Sequence, residues 1–137
     1  MAPVYVRGVP IKIPVSVGEL VDRITILRLK AARIEDPAKL ANVRSELAAL
    51  EEIFERDVGQ VDEVSETIGR LAEVNERLWE IEDGLRSLDE AQDFGDRFVQ
   101  TARRVYQLND LRFRLKREIS EAHGSDVIEE KHYRSDG

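Results

Sequence analysis

The 137-residue chain predicts an all-α fold: an antiparallel up-down four-helix bundle with a short extended N-terminal arm. Three observations carry that expectation. Between residues 16 and 124, apolar residues recur at helical spacing in four separate blocks, the stripe by which a helix faces a core. Helix-starting and helix-stopping residues stand at the joins. The composition, 42% hydrophobic and 36% charged, suits a helix-rich soluble domain of a size able to build its own core. The chain divides into an arm at 1–15, a bundle at 16–124 and a polar tail at 125–137.

In the arm, Val4 and Val6, then Ile11, Ile13 and Val15, alternate with period two around a Gly8-Val9-Pro10 turn signal. Two short strands are marginal alone, so the arm needs a helix or a second subunit to lie against. Ser16-Val17-Gly18-Glu19 is a capping box that opens the first helix, which runs to about Ile34. Leu20, Ile24, Leu27, Ala31 and Ile34 form its seam, and Val21, Ile26 and Leu29 lie outside it. An apolar surface that wide predicts the most buried helix of the set.

Asp36-Pro37 starts the second helix, with Asp as N-cap and Pro in the first turn. Leu40, Val43, Leu47, Leu50 and Phe54 keep register until the pattern frays near Gly59. The third helix is predicted from about Asp62 to Ala91, with heptads through Val64, Leu71, Leu78 and Leu85 and through Val74, Ile81 and Leu88. After a turn at Gln92 to Asp96, the fourth runs from about Arg97 to His123, with Gly124 as its stop. Acidic residues on the third helix (Glu66, Glu73, Glu76, Glu80, Glu82 and Asp83) and Arg103, Arg104, Arg112, Arg114, Lys116 and Arg117 on the fourth make these two neighbours by charge.

Several function classes are excluded or disfavoured. A net charge of −7 opposes a general nucleic-acid or anionic-membrane surface. With no cysteine there is no thiolate chemistry and no disulfide, and no apolar run is long enough to span a bilayer. A cytoplasmic location, with no membrane insertion, is the default expectation. No phosphate loop is present, and His123 and His132 are too peripheral for a metal cluster or a triad. No cofactor motif and no catalytic residue is assigned.

The polar residues that a plain bundle does not explain concentrate on two faces. Asn75, Trp79 and Glu82 lie one turn beside the third helix's seam, and Ala102, Val105, Asn109, Arg112 and Lys116 form a stripe on the fourth. Asn75 and Asn109 fall at similar heights, and Asp22 and Thr25 of the first helix can face the same layer. The simpler reading is a buried polar layer that fixes helix register. The functional one is a small pocket walled by Trp79 and Tyr106. Two Glu-x-x-Asp pairs, Glu19/Asp22 and Glu80/Asp83, raise a Mg²⁺ site of the kind found in helical nucleotide pyrophosphohydrolases. Against that, the capping box already employs Glu19. Arg23, Arg28, Lys30, Arg112 and Lys116 match in type the cations of a chorismate-mutase-like site, although solvated basic faces explain them more simply.

Taken together, Pro14-Val15-Ser16-x-Gly18-Glu19-Leu20-x-Asp22 with Ile24-Thr25-Ile26-Leu27, Asn75-x-x-Leu78-Trp79-x-Ile81-Glu82-Asp83, Val105-Tyr106-x-x-Asn109-Asp110 and Gly124-Ser125 with Glu129-Glu130-Lys131 resemble an uncharacterised family of short bacterial proteins. The resemblance covers nearly the whole chain. It implies an association with cell-surface polysaccharide and glycosyltransferase genes, and no activity. The chain departs from the family at Arg28, where an acidic residue is usual. The expectation is therefore a non-catalytic accessory or scaffold protein that works with a protein partner or by self-association, linked to surface-polysaccharide assembly. The alternative is a small-ligand-binding protein or a Mg-dependent helical enzyme. The face to watch comprises Asp22, Thr25, Asn75, Trp79, Glu82, Tyr106, Asn109, Asp110 and Lys116.

Overall fold

The computed structural model describes residues 9–59, 62–124 and 130. Its helices are α1 (Val17–Arg33), α2 (Pro37–Asp57), α3 (Ser65–Glu90) and α4 (Asp96–Ala122), and a single 3₁₀ turn, Asp62–Val64, leads into α3. They run up-down-up-down, the predicted all-α bundle topology. Among the described residues there is no strand. Residues 9–15 lie exposed without regular structure, and Pro10 and Pro14 withhold two of the N–H donors a ladder would need. The turn signal at Gly8, the apolar pair Val4 and Val6, and tail residues Ser125, Val127, Ile128, His132 and Tyr133 lie outside the described residues. From the tail, Glu130 accepts from Arg117 at 2.9 Å.

The caps explain the boundaries. Ser16 Oγ accepts from the Glu19 amide at 3.1 Å, and Asp36 Oδ1 accepts from the Ala38 amide at 3.3 Å with Pro37 in the first turn. The α3–α4 turn is closed by the Gln92 amide to Asp89 and the Asp93 amide to Leu88, which puts Gln92 at a φ of 55°. Gly124 ends α4 at a φ of 67°, a left-handed position that glycine takes without strain.

Three helices build the core. Val21 of α1 clusters with Leu71, Val74 and Leu78 of α3 and Leu108, Leu115 and Ile119 of α4, and Leu20, Ile24, Leu27 and Val64 are buried as well. As predicted, α1 is the most buried helix. Its 17 residues reach only about 25 Å, whereas the 26 and 27 residues of α3 and α4 reach about 40 Å. Burial therefore stops where α1 stops: the heptad residues Leu85 and Leu88 lie in register but are only half-buried.

The second helix differs from an ordinary bundle member. It packs along α1, approaches neither α3 nor α4 along its length, and has no buried residue. Its predicted seam is real, since Leu40, Val43, Leu47, Leu50 and Phe54 are all half-buried, as are Glu51 and Ile53, and Phe54 reaches the core cluster. A two-helix contact simply covers less of a helix than a four-helix one.

Candidate functional site

The polar residues of α1, α3 and α4 converge where the three helices are closest. Asp22 is 1% exposed, projecting from the buried face of α1. Its Oδ1 accepts from Arg112 Nε at 2.9 Å and from Asn75 Nδ2 at 3.0 Å, and its Oδ2 accepts from Arg112 Nη2 in a second, very short bond. Asn75 gives its other amide hydrogen to Thr25 Oγ1 at 2.9 Å, and the Thr25 hydroxyl donates to the Asp22 carbonyl at 2.8 Å. The fork of Arg112 matches the carboxylate geometry, and each arm of the network closes on another. No buried side-chain nitrogen or oxygen among the described residues lacks a partner.

One turn toward the N-terminus, a second pair joins α1 to α4. Lys116 Nζ lies 2.6 Å from Glu19 Oε2, and Arg23 Nε donates to the other Glu19 oxygen at 3.0 Å. The Glu19 side chain thus serves ion pairing, while the Ser16 hydroxyl alone makes the side-chain cap. Beyond it the backbones nearly touch: the Gly18 amide donates to Ser120 Oγ at 2.9 Å, and a Cβ on Gly18 would sit 2.1 Å from the Lys116 carbonyl oxygen. Only glycine permits that approach.

Burial raises the proton affinity of the Glu19 carboxyl, but hydrogen bonds from Lys116 and then Arg23, with their charges, outweigh it and hold its pKa below the ordinary 4.5. A depressed folded-state value contributes stability that is complete above about 4.5 and is lost as pH falls through the folded value. Glu19→Gln is expected to cost on the order of 1–2 kcal/mol at neutral pH. Urea melts of both proteins from pH 7 to pH 3 should show the gap closing on the acid side. A gap independent of pH would contradict this assignment.

The expected polar layer is therefore present, with a different set of partners. Asn75 turns to Asp22 and Thr25 on α1, and Arg112 is what α4 contributes. Asn109 and Asp110 are half-buried on α4. Trp79 is half-buried on α3, Tyr106 is exposed, and Glu82 is exposed and outside the network. Asn109, Tyr106, Arg112 and Lys116 line an open groove of about 630 Å³ with Glu19, Ala102, Val105 and Phe113, so the whole predicted α4 stripe falls on one surface. Trp79 is not among the residues that line it.

The candidate metal ligands go separate ways. Glu19 and Asp22 face cations, Glu80 pairs with Arg33 at 3.4 Å, and Asp83 is exposed. Among the described residues no three acidic or histidine side chains group as a metal ion would require. Four of the candidate cations for a dicarboxylate are likewise engaged: Arg23 with Glu19, Arg28 with Glu51, Arg112 with Asp22 and Lys116 with Glu19. The acidic face of α3 also finds an unexpected neighbour, since Glu76 and Glu80 both meet Arg33 of α1.

Gly18, Glu19, Asp22, Thr25 and Asn75 belong to the stretches that carry the family resemblance, and a family model tests that resemblance directly. A model described as a family of unknown function (DUF6165) matches residues 11–136. The chain belongs to this family. The DUF6165 match runs from residue 11, within the exposed arm, through α1 to α4 and into the tail. No curated protein and no solved structure matches the chain.

Two DUF6165 positions in this chain do more than their place in the sequence suggests. Gly18 reads there only as part of the cap, and Ser120 carries no signal of its own. The clue at Gly18 is a general one: a glycine inside the first turn weakens a helix unless something must approach it closely. No helix among the described residues is long and apolar enough to cross a membrane.

Proposed function

We propose that the protein acts by association, as a helical accessory or scaffold component whose open side is α2. The observation that carries this reading is that a 21-residue helix with five seam residues in register has no buried residue. Packed along α1 alone, these seam residues stay only half-buried, and a partner laid along α2 would bury them further. The polar cluster favours the same reading. Its members are mutually satisfied, so a ligand entering there would have to break bonds worth about as much as those it made. The link to surface-polysaccharide assembly rests on the family resemblance alone.

Light scattering across a concentration series is expected to give a mass above the 15.7 kDa of one chain. A strict monomer that retains no partner in pull-downs would sink the proposal. One observation favours a second reading, binding of a small ligand: the open groove gathers Tyr106, Asn109, Arg112 and Lys116 on one face. Thermal stabilisation by nucleotides, nucleotide sugars or Mg²⁺ would move the assignment there.

A further inference from the structure

The single chain carries two features that each lack a complement. The first is the arm. From residue 9 to residue 15 it reads Val-Pro-Ile-Lys-Ile-Pro-Val, so an extended backbone sets Val9, Ile11, Ile13 and Val15 on one side. These side chains stand in solvent, Val9 at 67%, Ile11 at 92% and Ile13 at 64% exposure. The prolines fix their own φ near the extended value, so holding the arm straight loses little entropy.

The second is a groove of about 420 Å³ between α1, α2 and the start of α3, floored by Val21, Ile24, Phe54 and Ile68. Its α2 rim carries Glu51 and Glu55. Glu51 is shared with Arg28, and Glu55 makes no ion pair among the described residues. The arm brings the opposite charge: residues 9–15 contain Lys12 and no acid. Apolar face and cation thus match an apolar floor and a rim that Glu51 and Glu55 leave net acidic against Arg28, which lines the same groove, while within one chain the arm stays exposed.

We infer that two copies of this chain exchange arms, residues 9–15 of each lying in the α1–α2 groove of the other with Lys12 at the Glu51/Glu55 rim. The exchange is isologous, so one two-fold operation covers both arms and both grooves and closes the assembly at two chains. It rests on the association reading above and names the partner as a second copy.

Because the chain has no cysteine, a disulfide can report the contact cleanly. Full-length chains carrying K12C are mixed with chains carrying E55C and mildly oxidised; both positions are exposed, so neither change threatens the fold. The expected product is a covalent pair holding one chain of each kind, in excess over like-with-like pairs. In parallel, the double substitution Ile11→Asp and Ile13→Asp should reduce the mass from twice 15.7 kDa to once, with helical content unchanged. A disulfide formed within single K12C/E55C chains, or no mixed pair at all, overturns arm exchange. So does a dimer that survives Ile11→Asp with Ile13→Asp, although association by another surface would then stand. A wild-type chain that is monomeric at every concentration and retains no partner removes both readings.

Discussion

Asp22→Ala is expected to destabilise the protein by about 3–5 kcal/mol, the cost of breaking a buried ion pair from one side. The substitution removes the carboxylate that accepts two hydrogen bonds from Arg112 and one from Asn75 where three helices meet. For a domain of this size the melting temperature should fall on the order of 10–20 °C. Arg112→Ala should cost a comparable amount, because it leaves a carboxylate 1% exposed without its cation. The two losses should not add. In a double-mutant cycle the combined variant should lose well under the sum, since the shared interaction can be lost only once. Additive losses would mean that Asp22 and Arg112 do not stabilise the bundle as a pair.

Gly18→Ala is expected to cost about 3 kcal/mol, the upper end of the range for overpacking. The added methyl meets the Lys116 carbonyl oxygen at 2.1 Å and its carbon at 2.7 Å, and a backbone cannot rotate aside as a side chain can. Relief requires α1 and α4 to separate, which stretches the Gly18–Ser120 bond and the Glu19–Lys116 pair together. The controls lie in α3. Gly69 and Gly84 occupy helix interiors, and a methyl added at either has nothing within 4 Å. Alanine there should raise stability by roughly 0.5–1 kcal/mol each. Urea denaturation of the three variants would show opposite signs for one substitution type. A neutral Gly18→Ala would mean that the two helices do not approach this closely.

The two experiments probe one joint. Gly18, Glu19 and Asp22 all meet α4 within a turn and a half, through Ser120, Lys116 and Arg112. That joint sets the position of α1 against the α3–α4 pair. It also sets where the arm leaves the bundle and where α2 is carried, since α2 packs on α1. The polar cluster therefore sets the placement of both the arm and α2.

The helices are legible in the sequence because their signals are local. Ser16, Asp36-Pro37 and Gly124 act on the few residues beside them, and the heptads of α3 mark its inner face whatever that face meets. Asp22, Thr25, Asn75 and Lys116 are legible as polar residues near apolar seams, and all four are buried. Their pairing is not legible. Height along the bundle matches Asn75 to Asn109 on the adjoining helix, whereas Asn75 bonds to α1, some fifty residues earlier in the chain. Height along two helices says nothing of rotation about their axes, and rotation decides which side chains face each other. Glu82 lies outside the network for a different reason, length: seven residues beyond Asn75 it keeps nearly the same angle, but α1 has ended at Arg33, which already reaches Glu76 and Glu80.

By itself the sequence determined the helix count, their limits and their apolar faces, because capping and periodicity are set by neighbours within a turn or two. It also determined that apolar residues alternate along the arm, which needs something to lie against. Only the tertiary structure decided that α1 is too short to cover the α3–α4 pair, that α2 is held by one neighbour, and that Asp22 binds Arg112. Those outcomes depend on relative lengths, crossing geometry and rotation between helices distant in sequence, and no local signal carries them.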